Sequence, residues 1–592
     1  MTRFTFPFST RQPHDEKGSR RPRFSLVDLL LTGAVLALLY LLARLSAGVV
    51  APFSEQNPPQ INLDPANLPY YAGRSLLRMF TALVFSFVFT LVYGYIAAKS
   101  RRLERVLVPL LDILQSVPVL GFLSVTITTF IALFPGSTLG LESASVFAIF
   151  TGQAWNMTFS FYTSLKTLPP ELTEVATGYR LSRWQRFVKL ELPAAIIPLS
   201  WNSMMSFGGG WFFLSVSETI TVLNKSFTLP GVGSYLALAI TEQNFGALAW
   251  ALGSMIIMIV AVDQLFWRPL VAWSDKFKLE TTRSAETPDS WVLALLRRSG
   301  LAGWVRIGFD RLGDALSSLF PGTGQKRAKT RRFEASPKTA SARGEVVLDL
   351  IFYGLLGVVL LIAGVSAFEF IVPVVGWDGF LEVLGLGLLT FLRVLAMLII
   401  SSLVWVPIGV WIGFNPKVSQ ALQPVIQVLA SFPANFLFPF ATIFFLRTGF
   451  PIDLGATALM SLGAQWYILF NVISGALAVP NDLREVSRSL GLRGWQRWRR
   501  LILPAIFGAW VTGAITASGG AWNASIVAEV VTWGPDTLTA HGLGSYIAGA
   551  TTAGDWPRII LGVGVMSLFV VALNRLFWQR LYRLAETRYK LG

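Results

Sequence analysis

Apolar runs of about 20 residues recur along the whole of this 592-residue chain, each long enough to cross a hydrocarbon layer as a helix. No water inside that layer satisfies backbone N–H and C=O groups, so a chain of such runs folds as a bundle of helices. Spans fit near 27–49, 74–98, 108–133, 144–165, 194–221 and 248–271, then near 347–371, 384–412, 424–446, 455–478, 505–531 and 558–580. The expected fold class is all-α, a polytopic membrane protein with about twelve spans. Composition agrees: 14% of residues are charged, where a soluble domain carries about a quarter. The first run is longer than the apolar core of a signal peptide and reads as a retained span.

Lys and Arg outnumber Asp and Glu by 49 to 33, and they gather between alternate apolar runs. The N-terminal tail and Lys99 to Arg105 are basic, whereas 51–72, 135–143 and 533–556 hold no Lys or Arg. That alternation follows the positive-inside rule, places both termini in the cytoplasm, and accounts for the charge through membrane lipid rather than nucleic acid. The chain has no cysteine and only two histidines, so disulfides and thiolate metal sites are excluded, and no metal is expected. No carboxylate pair or nucleophile with a base can be assembled for an intramembrane enzyme.

The two halves are repeats. Trp155 and Trp466, Glu174 and Glu485, Pro193 and Pro504, Trp211 and Trp522, Glu218 and Glu529, and Tyr235 and Tyr546 each lie 311 positions apart. Upstream, Arg78 and Arg393, Pro109 and Pro424, and Pro118 and Pro433 lie 315 apart. The first copy therefore carries four extra residues, placed most simply in the outer loop 135–143. With six spans each, both copies insert in one orientation. The expected organisation is a cytoplasmic tail at 1–26, a first domain at 27–274, a basic linker at 275–345 and a second domain at 346–592. Within the linker, the stretch from Trp291 reads either as a basic helix on the membrane surface or as a tethered one.

Residues 169–193 and 480–504 match at 11 of 25 positions, several of them polar or aromatic. Each reads as two short cytoplasmic helices joined by a turn, with an acidic cap at Glu171 or Asp482. Leu172, Val175, Ala176 and Tyr179 fall on one face, as do Leu483, Val486 and Leu490. Glycine at 178 or 491 permits the turn, and Ser182 with Gln185 forms a capping box. Such narrow apolar stripes either fill grooves in a partner or lie on lipid head groups.

The spacing of Glu485, Gly491 and Leu503-Pro504, and of Glu174 and Leu192-Pro193, resembles the EAA loop of permease subunits in bacterial ABC importers. RVLAML from Arg393, Ser116-Val117-Pro118, Ser431-Phe432-Pro433, WNASIVAE from Trp522 and GLGSY from Gly542 are similar to the nitrate, sulfonate and taurine branch of that family. The resemblance implies two tandem six-helix type I permease domains in a bacterial inner membrane. It also implies two ATP-binding subunits docking on the loops, and an extracytoplasmic solute-binding protein delivering a small anion. Glu174, Val175, Gly178, Arg180, Pro193, Glu485, Val486, Gly491 and Pro504 are then the coupling residues. Copy one departs from the pattern, because Arg180 stands where the glycine is expected. The chain has no G-x-x-x-x-G-K-[ST] phosphate loop, so ATP and Mg belong to the partner and this chain carries no cofactor.

FGGGW from Phe207 aligns with SGGAW from Ser518 in the fifth spans. These small residues serve either close helix packing or a permeation face. The expected pathway comprises Ser116, Pro118, Gly208, Gly209, Trp211, Glu218, Ser431, Pro433, Gly519, Gly520, Trp522 and Glu529. Glu218 and Glu529 suit a structural or gating pair with Arg78 and Arg393, which could equally be snorkelling anchors. Gln153, Asn156 and Gln465 are further polar candidates. A secondary transporter of the major-facilitator type shares the two six-span halves but has no need of the repeated cytoplasmic helix pairs.

Overall fold

A computed structural model of the chain describes residues 59–116, 119–179, 181–222, 225–277, 290–298 and 342–588, with residues 33, 36, 37, 40, 41, 43–46, 48–50 and 52. Most of the N-terminal tail and first expected span, most of the linker, and Pro118 and Arg180 lie outside the described residues.

In the first half α1 (Leu68–Lys99) buries Tyr71, Ser75, Arg78, Ala82, Ser86, Thr90, Gly94 and Ala97, one per helical turn along a single face. The next expected span is broken. α2 (Arg101–Ser116) stops before Pro118, a 3₁₀ turn covers Val119–Phe122, and α3 (Leu123–Leu133) resumes. α4 (Leu139–Lys166) packs between α1 and, further on, α7 (Leu192–Ser217). Between α4 and α7 come two short helices, α5 (Pro170–Gly178) and α6 (Arg183–Arg186), and a π turn at Phe187–Glu191. An antiparallel hairpin of β1 (Thr219–Val222) and β2 (Lys225–Thr228) leads to α8 (Val232–Thr241). The half ends with α9 (Phe245–Val262), a π turn at Asp263–Trp267 and α10 (Arg268–Ser274). In the linker, α11 (Trp291–Arg298) is a single short helix.

The second half repeats this order. α12 (Ala342–Gly413) runs for 72 residues through a break at Gly376, whose φ of 70° joins two of the expected spans. α13 (Pro416–Ser431) ends where Phe432, forced into an extended conformation by Pro433, begins a second broken helix. A 3₁₀ turn at Ala434–Phe436 leads into α14 (Phe438–Thr448). There follow α15 (Ile452–Leu477), α16 (Asn481–Ser489), α17 (Gly494–Arg497), a π turn at Trp498–Ile502 and α18 (Leu503–Ala528). The hairpin β3 (Val530–Trp533) and β4 (Asp536–Thr539) precedes α19 (Leu543–Ala553). α20 (Trp556–Leu573), a π turn at Asn574–Trp578 and α21 (Gln579–Arg588) complete the half.

Among the described residues, six helices are long and apolar enough to cross a membrane. The count falls short of twelve for identifiable reasons. The first expected span lies mostly outside the described residues, both third spans are split into pieces, and α12 holds two spans in one helix. α4 and α7 have the length, at 28 and 26 residues, but carry many Ser, Thr, Asn and Gln. The four extra residues of copy one fall between Leu133 and Glu142, because α3 and α14 end at positions 315 apart.

The halves meet along the bundle centre, where α7 packs on α13 and the Val119–Phe122 turn packs on α18 and α20. Val119 donates its N–H to Asn523 Oδ1 at 3.0 Å, and Asn435 Nδ2 donates to Ser215 Oγ at 2.9 Å. At the end of the bundle that carries the hairpins the Gly534 N–H reaches Ile240 O at 3.0 Å, and Phe245 packs on Trp533. The hairpins and α8 and α19 thus occupy stretches that sequence alone leaves as loops.

Candidate functional site: a shared cavity, two outer braces and two exposed loops

The broken third spans, the fourth spans and the glycine segments of both fifth spans enclose one cavity of about 140 Å³. Gly208 and Gly209 line it from α7, Gly519 and Gly520 from α18, and Ser431 and Pro433 from the break after α13. Gln115, Asn156, Tyr467, Thr516 and Asn523 add polar groups, and no described lining residue is charged. On α7 the glycines are needed for space. A Cβ on Gly208 would lie 2.8 Å from Ser431 Oγ, and one on Gly209 would lie 3.2 Å from Tyr467 Oη. A Cβ on Gly519 would meet nothing within 4 Å, so the cavity is roomier on that side.

Trp211 and Trp522 do not line this cavity. Both are buried: Trp211 packs edge-on against Phe207 with centroids 5.5 Å apart, and Trp522 lies against Phe391 and Phe569. The small polar residues of α7 and α18 are spread around each helix rather than gathered on one side, so no polar face dictates which way an aromatic points. Asn156 lines the cavity, whereas Gln153 is buried beside Ser86, and Gln465 accepts from Trp405 Nε1 at 2.8 Å. Ser116 is the last residue of α2 and is not among the described lining residues, while Pro118 lies outside the described residues.

Glu218 and Glu529 also stand away from the cavity, each 0% exposed at the outer end of a fifth span. Arg78 Nη1 lies 2.6 Å from Glu218 Oε1, and Arg393 Nη1 lies 2.8 Å from Glu529 Oε1. The snorkelling alternative is therefore not realised. Ser75 Oγ donates to Glu218 at 2.5 Å and accepts from the Val232 N–H at 3.1 Å; Thr390 Oγ1 does the same between Glu529 and the Leu543 N–H, both at 2.8 Å. Each carboxylate also takes an N–H from the first turn of α8 or α19, where the helix dipole favours negative charge. GVGSY from Gly231 and GLGSY from Gly542 follow from this packing. A Cβ on Gly231 or Gly542 would fall 2.2 Å from the carboxylate, and one on Gly233 or Gly544 would strike the backbone of Ser215 or Ser525.

Residues not singled out from the sequence complete the two braces. Glu142 binds Arg74 and Arg78 in the first half, where all three side chains are buried. Asp453 holds the matching place in the second half, bound to Arg393 Nη2 at 2.7 Å and to His541. An acid 311 positions from an acid, and a hydroxyl 315 from a hydroxyl at Ser75 and Thr390, were the available signals.

On the opposite side the two repeated stretches form the expected helix pairs. Pro169 and Pro480, not Glu171 and Asp482, occupy the N-cap positions, and the acids sit in the first turn without side-chain caps. Ser182 and Gln185 form a reciprocal capping box. Gly491 takes a φ of +64°, which favours glycine, whereas Gly178 ends α5 inside the helix and Arg180 lies outside the described residues. Ala176 faces the body of the protein, while Val175, Tyr179, Leu483, Val486 and Leu490 are exposed, beside exposed Glu174 and Glu485. The face expected for copy one is thus split, with Ala176 inward. Pro193 and Pro504 stand in the first turns of α7 and α18, where a missing N–H is harmless.

A family profile described as the binding-protein-dependent transport system inner membrane component matches residues 76–266 and again 405–591. The chain belongs to this family. Each half carries one copy of the inner membrane component. A nitrate import permease protein of Leptolyngbya laminosa is 29% identical over 184 residues, covering 31% of this chain and 62% of its own length. A bicarbonate transport system permease protein of Synechococcus elongatus is 27% identical over 176 residues, covering 30% and 60%. A putative aliphatic sulfonates transport permease protein of Bacillus subtilis is 27% identical over 184 residues, covering 30% and 63%. The chain thus spans less than two thirds of the length of each of these three relatives.

Proposed function

We propose that this chain forms a complete translocation unit of an ATP-driven importer in a bacterial inner membrane, with both termini cytoplasmic. The observation that carries the reading is the pairing of two exposed apolar-tipped loops with one uncharged cavity built from both halves. Each loop presents a groove-filling stripe to one ATP-binding subunit, so two such subunits, holding ATP and Mg, engage one chain. The family match leaves the secondary-transporter alternative without a supporting observation.

The solute is a small anion handed over by a solute-binding protein. Relatives named for nitrate, bicarbonate and sulfonates support this class. The cavity supports it physically, because a pathway must bind weakly enough to release. Asn156, Asn523, Thr516 and Tyr467 offer neutral donors, and no fixed cation there traps the solute. Its volume is roughly ten times what a single water needs by the same measure.

Reconstitution with the ATP-binding and solute-binding partners tests the reading. Nitrate, bicarbonate, sulfate, taurine or an alkanesulfonate should stimulate hydrolysis, with two ATP-binding subunits per chain. Stimulation by a neutral sugar or amino acid, with none by any anion, overturns the anion assignment alone. A stable assembly holding two copies of this chain overturns the complete-unit assignment.

A further inference from the structure

The contacts that tie each cytoplasmic loop to the end of the second span use different chemistry in the two halves. In the first, Lys99, the last residue of α1, places Nζ 2.5 Å from Glu191 Oε1, and Arg186 Nε lies 2.9 Å from the same oxygen. Arg186 also reaches Thr173 Oγ1 on α5 at 3.4 Å. Glu191 is buried, while Lys99 and Arg186 are each about a third exposed. Edge-on packing of Phe187 against Tyr95 holds the π turn beside this cluster.

The offsets of 315 and 311 map Lys99, Thr173, Arg186 and Glu191 onto Phe414, Arg484, Arg497 and Ile502. There the Phe414 ring receives both guanidiniums, Arg484 at 4.4 Å and Arg497 at 5.5 Å from its centroid. Arg484 Nη2 additionally donates to Ala476 O at 2.8 Å, satisfying a last-turn carbonyl of α15. Burial, with Arg497 and Arg488 nearby, pushes the Arg484 guanidinium below its usual value, and the ring face offsets part of that penalty. A cation has become a ring, a carboxylate an isoleucine and a threonine an arginine, at one place in the fold.

Each cluster sits at one end of a rod whose other end is an outer brace. Arg78 and Lys99 on α1 are 21 residues apart, as are Arg393 and the matched Phe414, a helical rise of about 32 Å. We infer that Lys99–Glu191–Arg186 and Arg484–Phe414–Arg497 are positioning residues that hold each loop on its second span and carry its displacement to the outer brace, the first through an ionic link and the second through a ring link. The transmission part rests on the importer reading. Salt weakens a part-exposed ionic link and leaves cation–π stacking nearly unchanged, so the two links respond differently to ionic strength.

The chain lacks cysteine, so spin-label pairs can be introduced without background at Ile96 with Thr177 and at the matched Trp411 with Arg488. In the full-length chain, rising salt should broaden the first distance distribution and leave the second unchanged. Glu191→Gln should broaden the first already at low salt. K99F/T173R/E191I, which rebuilds the ring link in the first half, should restore a narrow, salt-insensitive distribution. In the complex with its ATP-binding and solute-binding partners, solute moved per ATP should fall several-fold in Glu191→Gln and recover in the triple variant. Equal salt responses at the two pairs, or a Glu191→Gln distribution like the wild type, overturns the anchoring. A normal ratio of transport to hydrolysis in Glu191→Gln, despite a displaced loop, overturns the transmission. Absence of solute-dependent hydrolysis in the wild-type complex overturns the importer reading instead, and the label distances still decide the anchoring.

Discussion

The two outer braces share a core and differ in their surroundings. In both halves an arginine of the second span, a hydroxyl three residues before it, a buried glutamate and the N-terminus of a short outer helix converge. In the first half this core is sealed, with Arg74, Arg78 and Glu142 all buried. In the second half Leu389 replaces Arg74, Asp453 is 42% exposed, and His541, 81% exposed, donates its N–H to Asp453. Pro230, at the position matching His541, has no N–H to give. The shared parts thus mark the common core of the brace, and the rest marks how the two halves differ in their exposure to water.

The largest expected effect sharpens this contrast. Arg78→Ala leaves Glu218 without a cation in a dry site and should destabilise the purified chain by about 3–5 kcal/mol. Arg393→Ala also strands a buried glutamate, Glu529, but its other acid, Asp453, is reached by water whereas both acids of Arg78 are buried, so it should cost less. Thermal unfolding of both variants in detergent checks the order, and equal losses would break the comparison. Next, Glu142→Gln removes the acceptor shared by two buried arginines and should cost about 2–3 kcal/mol, whereas Asp453→Asn should cost less than about 1 kcal/mol. Third, Gly231→Ala and Gly542→Ala test the shared core, since each Cβ would strike its glutamate carboxylate. They should cost alike, about 1–3 kcal/mol, and a large difference in unfolding temperature would show that the cores are not equivalent. The smallest effect belongs to His541→Ala, which should leave the unfolding temperature unchanged within error.

How much of this was legible in the sequence depends on how a residue signals its place. The repeat, both short helix pairs, the Ser182–Gln185 box and the positive φ at Gly491 rest on spacing and local chemistry, which sequence carries directly. The Arg78–Glu218 and Arg393–Glu529 pairs were one of two open readings, because a charge near a span's end either pairs or snorkels. Glu142 sat in an outer loop with no periodicity to flag it, and the four-residue strands are too short to show alternation. Trp211 and Trp522 were expected on the permeation face, but helices whose small polar residues are spread all round hide which face is inward.

The π turns show what the two halves have kept in common. Those at Phe187–Glu191 and Trp498–Ile502 lie 311 positions apart, as do those at Asp263–Trp267 and Asn574–Trp578. A π turn holds one residue more than an α turn, so a gain or loss in one copy after duplication would have left the offset uneven across it. The wide turns are therefore inherited from a single ancestral half. The ionic and ring anchors and the dry and wet braces, by contrast, are places where the two copies have diverged without any change in chain length.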